Sequence, residues 1–289
     1  MNGGSHPAVE TVIEPTRGLR FVAWRDLYAY RDLLWLMVWR DIASRYKQTV
    51  LGPLWYVVQP LLTTAVFMVI FSRVARIPTD GVPSSLFYMC GLLLWNYFSQ
   101  TFQSTAGTLV NNAGIFGKVY FPRLIVPLSA VFSNLVAVAV QFALFAVIFT
   151  VEKISSQRAA SFHLTAAVWL LPLVFAQVAL FSFGIGLWVA ALTAKFRDFG
   201  VLAGLFVQLF MYASPVIYPL SRVPSRWYLL WGAALNPLTY PLEASRHMLL
   251  GASAPAPWLL AVSLGTTLLA LASGLLVFQR VEKNFVDVI

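Results

Sequence analysis

The sequence predicts an all-α membrane protein with six transmembrane helices, an N-terminal amphipathic helix and two short re-entrant helices between spans five and six. Of the 289 residues, 59% are hydrophobic and 11% are charged, whereas a soluble domain carries about 25% charged residues. The apolar residues form runs long enough to cross about 30 Å of hydrocarbon. The charged residues lie between those runs. A soluble globular domain and a disordered chain are both excluded.

Residues 1–32 are polar and lack the basic-then-apolar order of a signal peptide, which predicts a cytoplasmic tail. Residues 33–52 are predicted to form an amphipathic interface helix, over 33–47, and a turn. Gly52-Pro53 ends the apolar run. On a helix, one apolar stripe holds Trp35, Trp39, Ile42 and Tyr46, and the polar side holds Arg40, Asp41, Ser44, Arg45 and Lys47. We expect this helix to lie in the membrane interface; the alternative is the start of a long first span.

Residues 53–289 are predicted to form the six-span transmembrane domain. Pro172 is predicted to kink the fourth span. The larger share of the 20 Lys and Arg residues falls in segments that share a side with the N-terminus, which places both termini in the cytoplasm. The predicted spans, none of which contains Asp, Glu, Lys, Arg or His, are 54–72, 86–110, 125–150, 164–193, 200–219 and 258–279.

The region 220–257 is too apolar for an ordinary loop and too interrupted by proline for a span. It contains two short segments, 227–235 and 237–250, that are predicted to dip into the outer leaflet and return. Re-entrant backbone needs shielding by protein or a water-filled cavity, so this region should border a passage or an oligomer interface. The alternative is an amphipathic cap lying on the surface. Glu243 and His247 have the four-residue spacing of a helical side-chain pair. We interpret them as a pair that stabilises an exposed turn; the alternative is an acid–base pair.

No catalytic constellation is present in the sequence. The phosphate-binding pattern G-x-x-x-x-G-K-[ST] is absent, and one cysteine with three scattered histidines gives no metal ligand set. The basic residues are too dispersed for a nucleic-acid surface. Spans without charged residues disfavour an ion-coupled carrier or a membrane-embedded enzyme. The uncharged polar residues of the spans either join helices together or line a passage in which aromatic faces slide along sugars.

Three stretches together resemble one family. They are RDIASRYKQTVLGPLWYVVQPL (40–61), GKVYFPRLIVPL (117–128) and KFRDFG (195–200), the last followed by SPVIYP (214–219). They are similar to the membrane permease subunit of bacterial ABC-type polysaccharide exporters, which serve O-antigen, capsule and teichoic-acid export. The resemblance runs from about residue 30 to the C-terminus.

This resemblance implies a homodimer in the bacterial inner membrane that works with two separate ATP-binding-cassette ATPase subunits. ATP and Mg would be bound by those partners, and this chain would hold no cofactor. The substrate would be a polyprenyl-diphosphate-linked polysaccharide, as in lipopolysaccharide biosynthesis. An ABC permease for a drug or a small lipid is the alternative.

The resemblance also suggests roles for particular residues, with none catalytic and none a metal ligand. The ATPase-coupling loop is assigned to Lys118, Val119, Tyr120, Phe121, Pro122 and Arg123. The interface helix and cytoplasmic entrance are assigned to Trp35, Trp39, Arg40, Arg45, Tyr46, Lys47, Leu51 and Gly52. The tunnel lining is predicted to include Trp55, Tyr56, Tyr97, Phe206, Phe210, Tyr212 and Tyr218. The periplasmic gate is assigned to Trp227, Trp231, Tyr240, Glu243 and His247. Three cations could meet the diphosphate, or could equally be ordinary positive-inside charges that contact anionic lipid: Arg40, Arg45 and Lys47.

Overall fold

The structure is a computed structural model that describes residues 24–47, 51–116, 121–155, 159–223 and 236–284. Those residues form helices, turns and short connections, with no β-strand among them. The α-helices are α1 (Trp24–Ala29), α2 (Arg31–Tyr46), α3 (Trp55–Phe67), α4 (Ser84–Ala106), α5 (Thr108–Asn111), α6 (Ala113–Phe116), α7 (Ile125–Ser155), α8 (Leu171–Lys195), α9 (Asp198–Ala213), α10 (Thr239–Leu250) and α11 (Pro257–Asn284). The all-α prediction is confirmed.

In the part of the chain that the structure describes, four helical segments are long and apolar enough to cross a membrane: Trp55–Val74, Ile125–Ser155, Ala166–Lys195 and Pro257–Glu282. The first of these joins α3 to a wider π-helical continuation, Met68–Val74. Helix α4 has 23 residues but carries more polar side chains. Each of the six predicted spans overlaps a helix, but among the described residues only these four segments have the length and hydropathy of a crossing.

The predicted fifth span, 200–219, is shorter than expected. Helix α9 has 16 residues, about 24 Å at 1.5 Å per residue, and it ends at Ala213. The reason is Pro215, which has no N–H to continue the helical ladder and restricts the residue before it to extended backbone. Ser214 is accordingly extended, with ψ 146°.

Two other helix boundaries follow from single residues. Gly52 has φ +49° and begins a single 3-10 turn, Gly52–Leu54, that separates α2 from α3, as the sequence predicts. Pro172 does not kink the fourth span. It lies in the first turn of α8, where a missing N–H costs nothing, and a 3-10 segment, Ala166–Leu170, precedes it.

Helix α4 lies at the centre of the molecule. It packs against α3, α7, α8, α9 and α10, and most of its side chains are buried, including Tyr88, Phe98 and Phe102. These rings belong to the main hydrophobic cluster, which continues into α8 and α10. The other helices are therefore placed mainly by their contacts with α4.

Helix α8 is held close to its neighbours by two glycines on different faces. A Cβ at Gly184 would lie 2.7 Å from the Cα of Leu271 in α11, and a Cβ at Gly274 would collide with the carbonyl oxygen of Gly184. A Cβ at Gly186 would lie 2.7 Å from the Cβ of Thr105 in α4. Small residues at such crossings let helix backbones approach closely in a membrane.

Candidate functional site

A helix is present over the predicted range 33–47, as α2 (Arg31–Tyr46), and it packs on α7. Its inner face buries Met37 and Val38, each 5% exposed. Trp35 and Trp39 are 60% and 70% exposed on the other side, and the Trp35 ring lies tilted against Phe132 of α7, with ring centroids 5.9 Å apart. The two tryptophans are thus free of the protein core, as a helix that lies in a membrane interface requires.

A polar cleft of about 220 Å³ lies between α2, α5 and α7. Arg40 bonds Asp41 through Nε at 3.0 Å and through Nη2 at 2.8 Å, and Nη2 also reaches Asn112 Oδ1 at 3.4 Å. Ser129 Oγ donates to the second Asp41 oxygen at 3.1 Å. The cleft is lined by Arg40, Asp41, Ser44, Ser104, Thr108, Asn111, Asn112, Val126, Ala130 and Ser133. The Arg40–Asp41 pair therefore ties α2 to α7 and to the segment after α4.

This pairing bears on the three cations predicted near the entrance. The Arg40 charge is already matched by a carboxylate, whereas Lys47 is exposed. The side chains of Arg45 and Tyr46 lie outside the described part of the structure. Leu51 is 38% exposed beside the turn that joins α2 to α3.

The described part of the predicted coupling loop packs inside the chain. Phe121 is 5% exposed and lies in a cluster with Met37 of α2 and Ile125 of α7. Arg123 bonds the Glu282 backbone carbonyl through Nη1 at 2.6 Å. Pro122 is half-buried. The remaining members of the loop lie outside the described residues: Lys118, Val119 and Tyr120.

A ladder of aromatic rings covers one face of α9 and continues onto α4. Phe206 and Phe210 stack with centroids 5.0 Å apart. Phe206 lies 5.6 Å from Phe102, and Phe210 lies 5.7 Å from Phe98 and 6.2 Å from Trp95. Because Phe206 is still 41% exposed, the ladder has a packed side and an open side. The open side is the best candidate in the described residues for an aromatic wall.

The other predicted lining residues divide into three groups. Trp55 and Tyr212 are exposed, at 48% and 58%. Tyr56 and Tyr218 are half-buried. Tyr97 departs from the prediction, because it is 2% exposed and packs between α4 and α8, away from the open side of the ladder. Hydropathy alone could not reveal this, since it does not show that α4 packs against five other helices.

Helix α10 carries a buried ion pair. Arg246 is 1% exposed and its Nη1 lies 2.8 Å from Glu243 Oε1. Its Nη2 donates to the Val216 carbonyl at 2.9 Å, and its guanidinium lies 3.9 Å from the centre of the Phe87 ring. The prediction of an exposed turn is wrong, because nearly all of α10 is buried against α4 and α8.

The other residues of the predicted gate have ordinary environments or lie outside the described residues. His247 Nδ1 is 2.7 Å from the Ala252 carbonyl, so it contacts the segment that follows α10 and does not pair with Glu243. Tyr240 is half-buried. Trp227 and Trp231 fall in 224–235, which the structure does not describe.

Sequence reasoning missed the partners of Arg246. Phe87 and Gly91 come from α4, and a Cβ at Gly91 would lie 3.2 Å from Arg246 Nη2. Val216 comes from the SPVIYP segment. A signal was available: Arg246 follows Glu243 by three residues within an apolar helix, the spacing of an ion pair.

These features define a multi-pass, all-helical membrane protein whose long helices hold aromatic and uncharged polar side chains. The sequence profile of the ABC-2 type transporter family matches residues 32–250. The chain belongs to this family.

Curated relatives match most of the chain. It is 25% identical over 258 residues to the O-antigen export system permease protein RfbA of Klebsiella pneumoniae, covering 89% of this chain and 95% of that protein. It is 31% identical over 215 residues to a protein of the same name from Myxococcus xanthus, covering 74% and 78%. It is 24% identical over 211 residues to the polysialic acid transport protein KpsM of Escherichia coli, covering 72% and 77%.

Proposed function

We propose that this chain is the membrane permease subunit of an ATP-driven exporter that moves a polysaccharide across the bacterial inner membrane. The observation that carries the proposal is similarity over most of the chain to proteins named for O-antigen export. The family match to ABC-2 type transporters supports the ATP-driven class. ATP and Mg would be held by a separate ATPase subunit.

The functional unit is a homodimer with six spans in each copy and both termini in the cytoplasm. The apolar outer faces of α3 and α9 support it, with Leu62 and Leu209 each 59% exposed. Such faces need lipid or a second copy against them. Helix α4 and the short α9 would supply the two crossings beyond the four longer, more apolar helical segments.

The polymer passes along the open side of the aromatic ladder. Ring faces suit a moving sugar chain, because stacking on apolar sugar faces does not require one fixed register. Export begins at the α2 end, where the polyprenyl diphosphate of the carrier would meet Lys47 and Arg45. Arg40 could join them only by exchanging its Asp41 partner for phosphate.

Deletion of the gene tests the proposed function. In the producing strain, loss of the chain should abolish surface polysaccharide and cause lipid-linked polymer to accumulate inside the cell. Complementation with the wild-type gene should restore display. Normal polysaccharide on the surface of the deletion strain would contradict polysaccharide export and favour a permease for a drug or small lipid.

The coupling loop needs a separate test, and the structure restricts the choice of residues. Phe121 is part of the α2–α7 cluster, so its replacement would disturb the permease itself. Lys118→Glu with Tyr120→Ala should weaken co-purification of the ATPase, because it removes shape and charge complementarity from the loop. Trp169→Ala is the control, because this aromatic side chain is 86% exposed and lies in the 3-10 segment that precedes α8, outside the coupling loop. Full ATPase recovery with the loop variant would argue against coupling through these residues.

A further inference from the structure

A second cavity lies between α3, α4 and α7 and has a chemistry unlike that of the cleft at α2. Its volume is about 310 Å³, at the lower end of the 300–1,000 Å³ that small-molecule sites occupy. Its lining consists of Gly52, Trp55, Tyr56, Gln59, Pro60, Asn96, Gln100 and Gln141. Four of these eight residues are amides and two are aromatic, and none carries a charge.

Within the described part of the structure, the amide groups of this cavity are only partly hydrogen-bonded. Asn96 Nδ2 donates to Gln141 Oε1 at 3.2 Å, and Gln141 is 4% exposed. Among the described residues, the amides of Gln59 and Gln100 make no side-chain hydrogen bond. Each primary amide offers two N–H donors and a carbonyl acceptor. In a transmembrane helix, unpaired groups of this kind are costly unless water or a polar ligand meets them.

The residues that line the cavity indicate the chemical class of its ligand. A sugar hydroxyl both donates and accepts, as does a primary amide, so the two complement each other in either direction. Trp55 and Tyr56 add aromatic rings of the kind that stack on the apolar face of a pyranose. Ions are disfavoured, since no charged side chain lines the cavity.

The cavity also lies where a polymer would start its passage. It begins at the Gly52 turn between α2 and α3 and extends toward the middle of α4 and α7. We propose that this cavity is a binding site for one neutral monosaccharide unit of the exported polymer, with Gln59 and Gln100 as its hydrogen-bonding groups. The assignment rests on the proposed function for the identity of the polymer, and on the cavity itself for its sugar chemistry.

The test measures saccharide binding to the full-length permease with its ATPase partner in lipid nanodiscs. Two probes are used in saturation-transfer NMR: the oligosaccharide released by mild acid from the strain's own surface polysaccharide, and maltoheptaose. The test variant is Gln59→Leu/Gln100→Leu, which keeps side-chain volume and removes both amides. The matched control is Gln103→Leu, one turn from Gln100 on α4, whose amide donates to Ser99 at 2.9 Å and does not line the cavity.

We expect the double variant to bind the strain's oligosaccharide at least tenfold more weakly, while Gln103→Leu binds like wild type. Equal elution volumes in size-exclusion chromatography and equal melting temperatures for all three proteins would show that folding is unchanged. Equal binding by wild type and the double variant overturns the site, as does failure of both probes to bind the wild-type protein, which would leave water as the only occupant.

The two proposals can fail separately. If the deletion strain displays normal polysaccharide but maltoheptaose binds wild type and not the double variant, polysaccharide export is wrong and the sugar site stands. If the deletion strain loses surface polysaccharide but the double substitution leaves saccharide binding unchanged, polysaccharide export stands and the proposed sugar site is wrong.

Discussion

Removal of the buried Arg246 guanidinium should destabilise the protein strongly. Arg246→Met removes two hydrogen bonds, at 2.8 Å to Glu243 and 2.9 Å to the Val216 carbonyl, and a ring contact with Phe87. It also leaves Glu243, 8% exposed, without its cation. Breaking one side of a buried pair costs about 3–5 kcal/mol, mostly because the remaining charge is uncompensated.

That loss should be visible as a fall in melting temperature. For a chain of this size, 1 kcal/mol shifts the melting temperature by about 2–4 °C, so Arg246→Met should melt about 6–20 °C lower. The assay is heating in detergent followed by size-exclusion chromatography of the protein that stays folded. Because unfolding is irreversible in this assay, all variants are heated at one rate.

A matched control separates burial from charge. Arg222 also pairs with a carboxylate, Asp80, at 3.5 Å, but its side chain is 61% exposed. Arg222→Met should therefore cost less than about 1 kcal/mol. Adding Glu243→Gln to Arg246→Met removes the unpaired charge and should recover part of the loss. A melting temperature for Arg246→Met within 2 °C of that of Arg222→Met would refute the reasoning.

Two further predictions concern helix packing and topology. Gly274→Ala should lower the free energy of unfolding by about 1–3 kcal/mol, because its Cβ meets backbone of α8. Gly265→Ala, with open space around its Cβ, should leave the melting temperature unchanged, and equal effects would contradict the close crossing. In spheroplasts, an impermeant maleimide should label Ser221→Cys but not Ser44→Cys, while the buried Cys90 gives no background. Labelling of Ser44→Cys alone would reverse the proposed orientation.

The helices themselves could largely be predicted from the sequence. Their boundaries depend on local chemistry: Gly52 begins a turn with positive φ, and Pro215 ends α9. Pro172 is instructive, because the same missing N–H that kinks a helix interior is harmless in the first turn. The prediction failed there only because it placed the helix start seven residues too early.

The environment of individual side chains could not be predicted as well. The position of Tyr97 depends on α4 being central, and that follows from contacts with five other helices. Arg246 is buried because Phe87, Gly91 and Val216 meet it from segments 30 or more residues away. Hydropathy patterns record which residues share a helix, but they do not record which helices surround it.

The distribution of charge has a consequence for how a polymer could move. A translocated chain must bind well enough to enter and weakly enough to leave at each step. In the described part of the structure, Arg40 is paired with Asp41 and Arg246 with Glu243, so neither cation is available as a strong fixed site for an anionic sugar. The surfaces left open are the rings of α9 and the amides of the cavity beside α3. Each offers contacts of modest strength that successive sugar units could exchange. The described walls therefore suit a neutral polymer that moves stepwise along them better than an anionic polymer that binds tightly at one position.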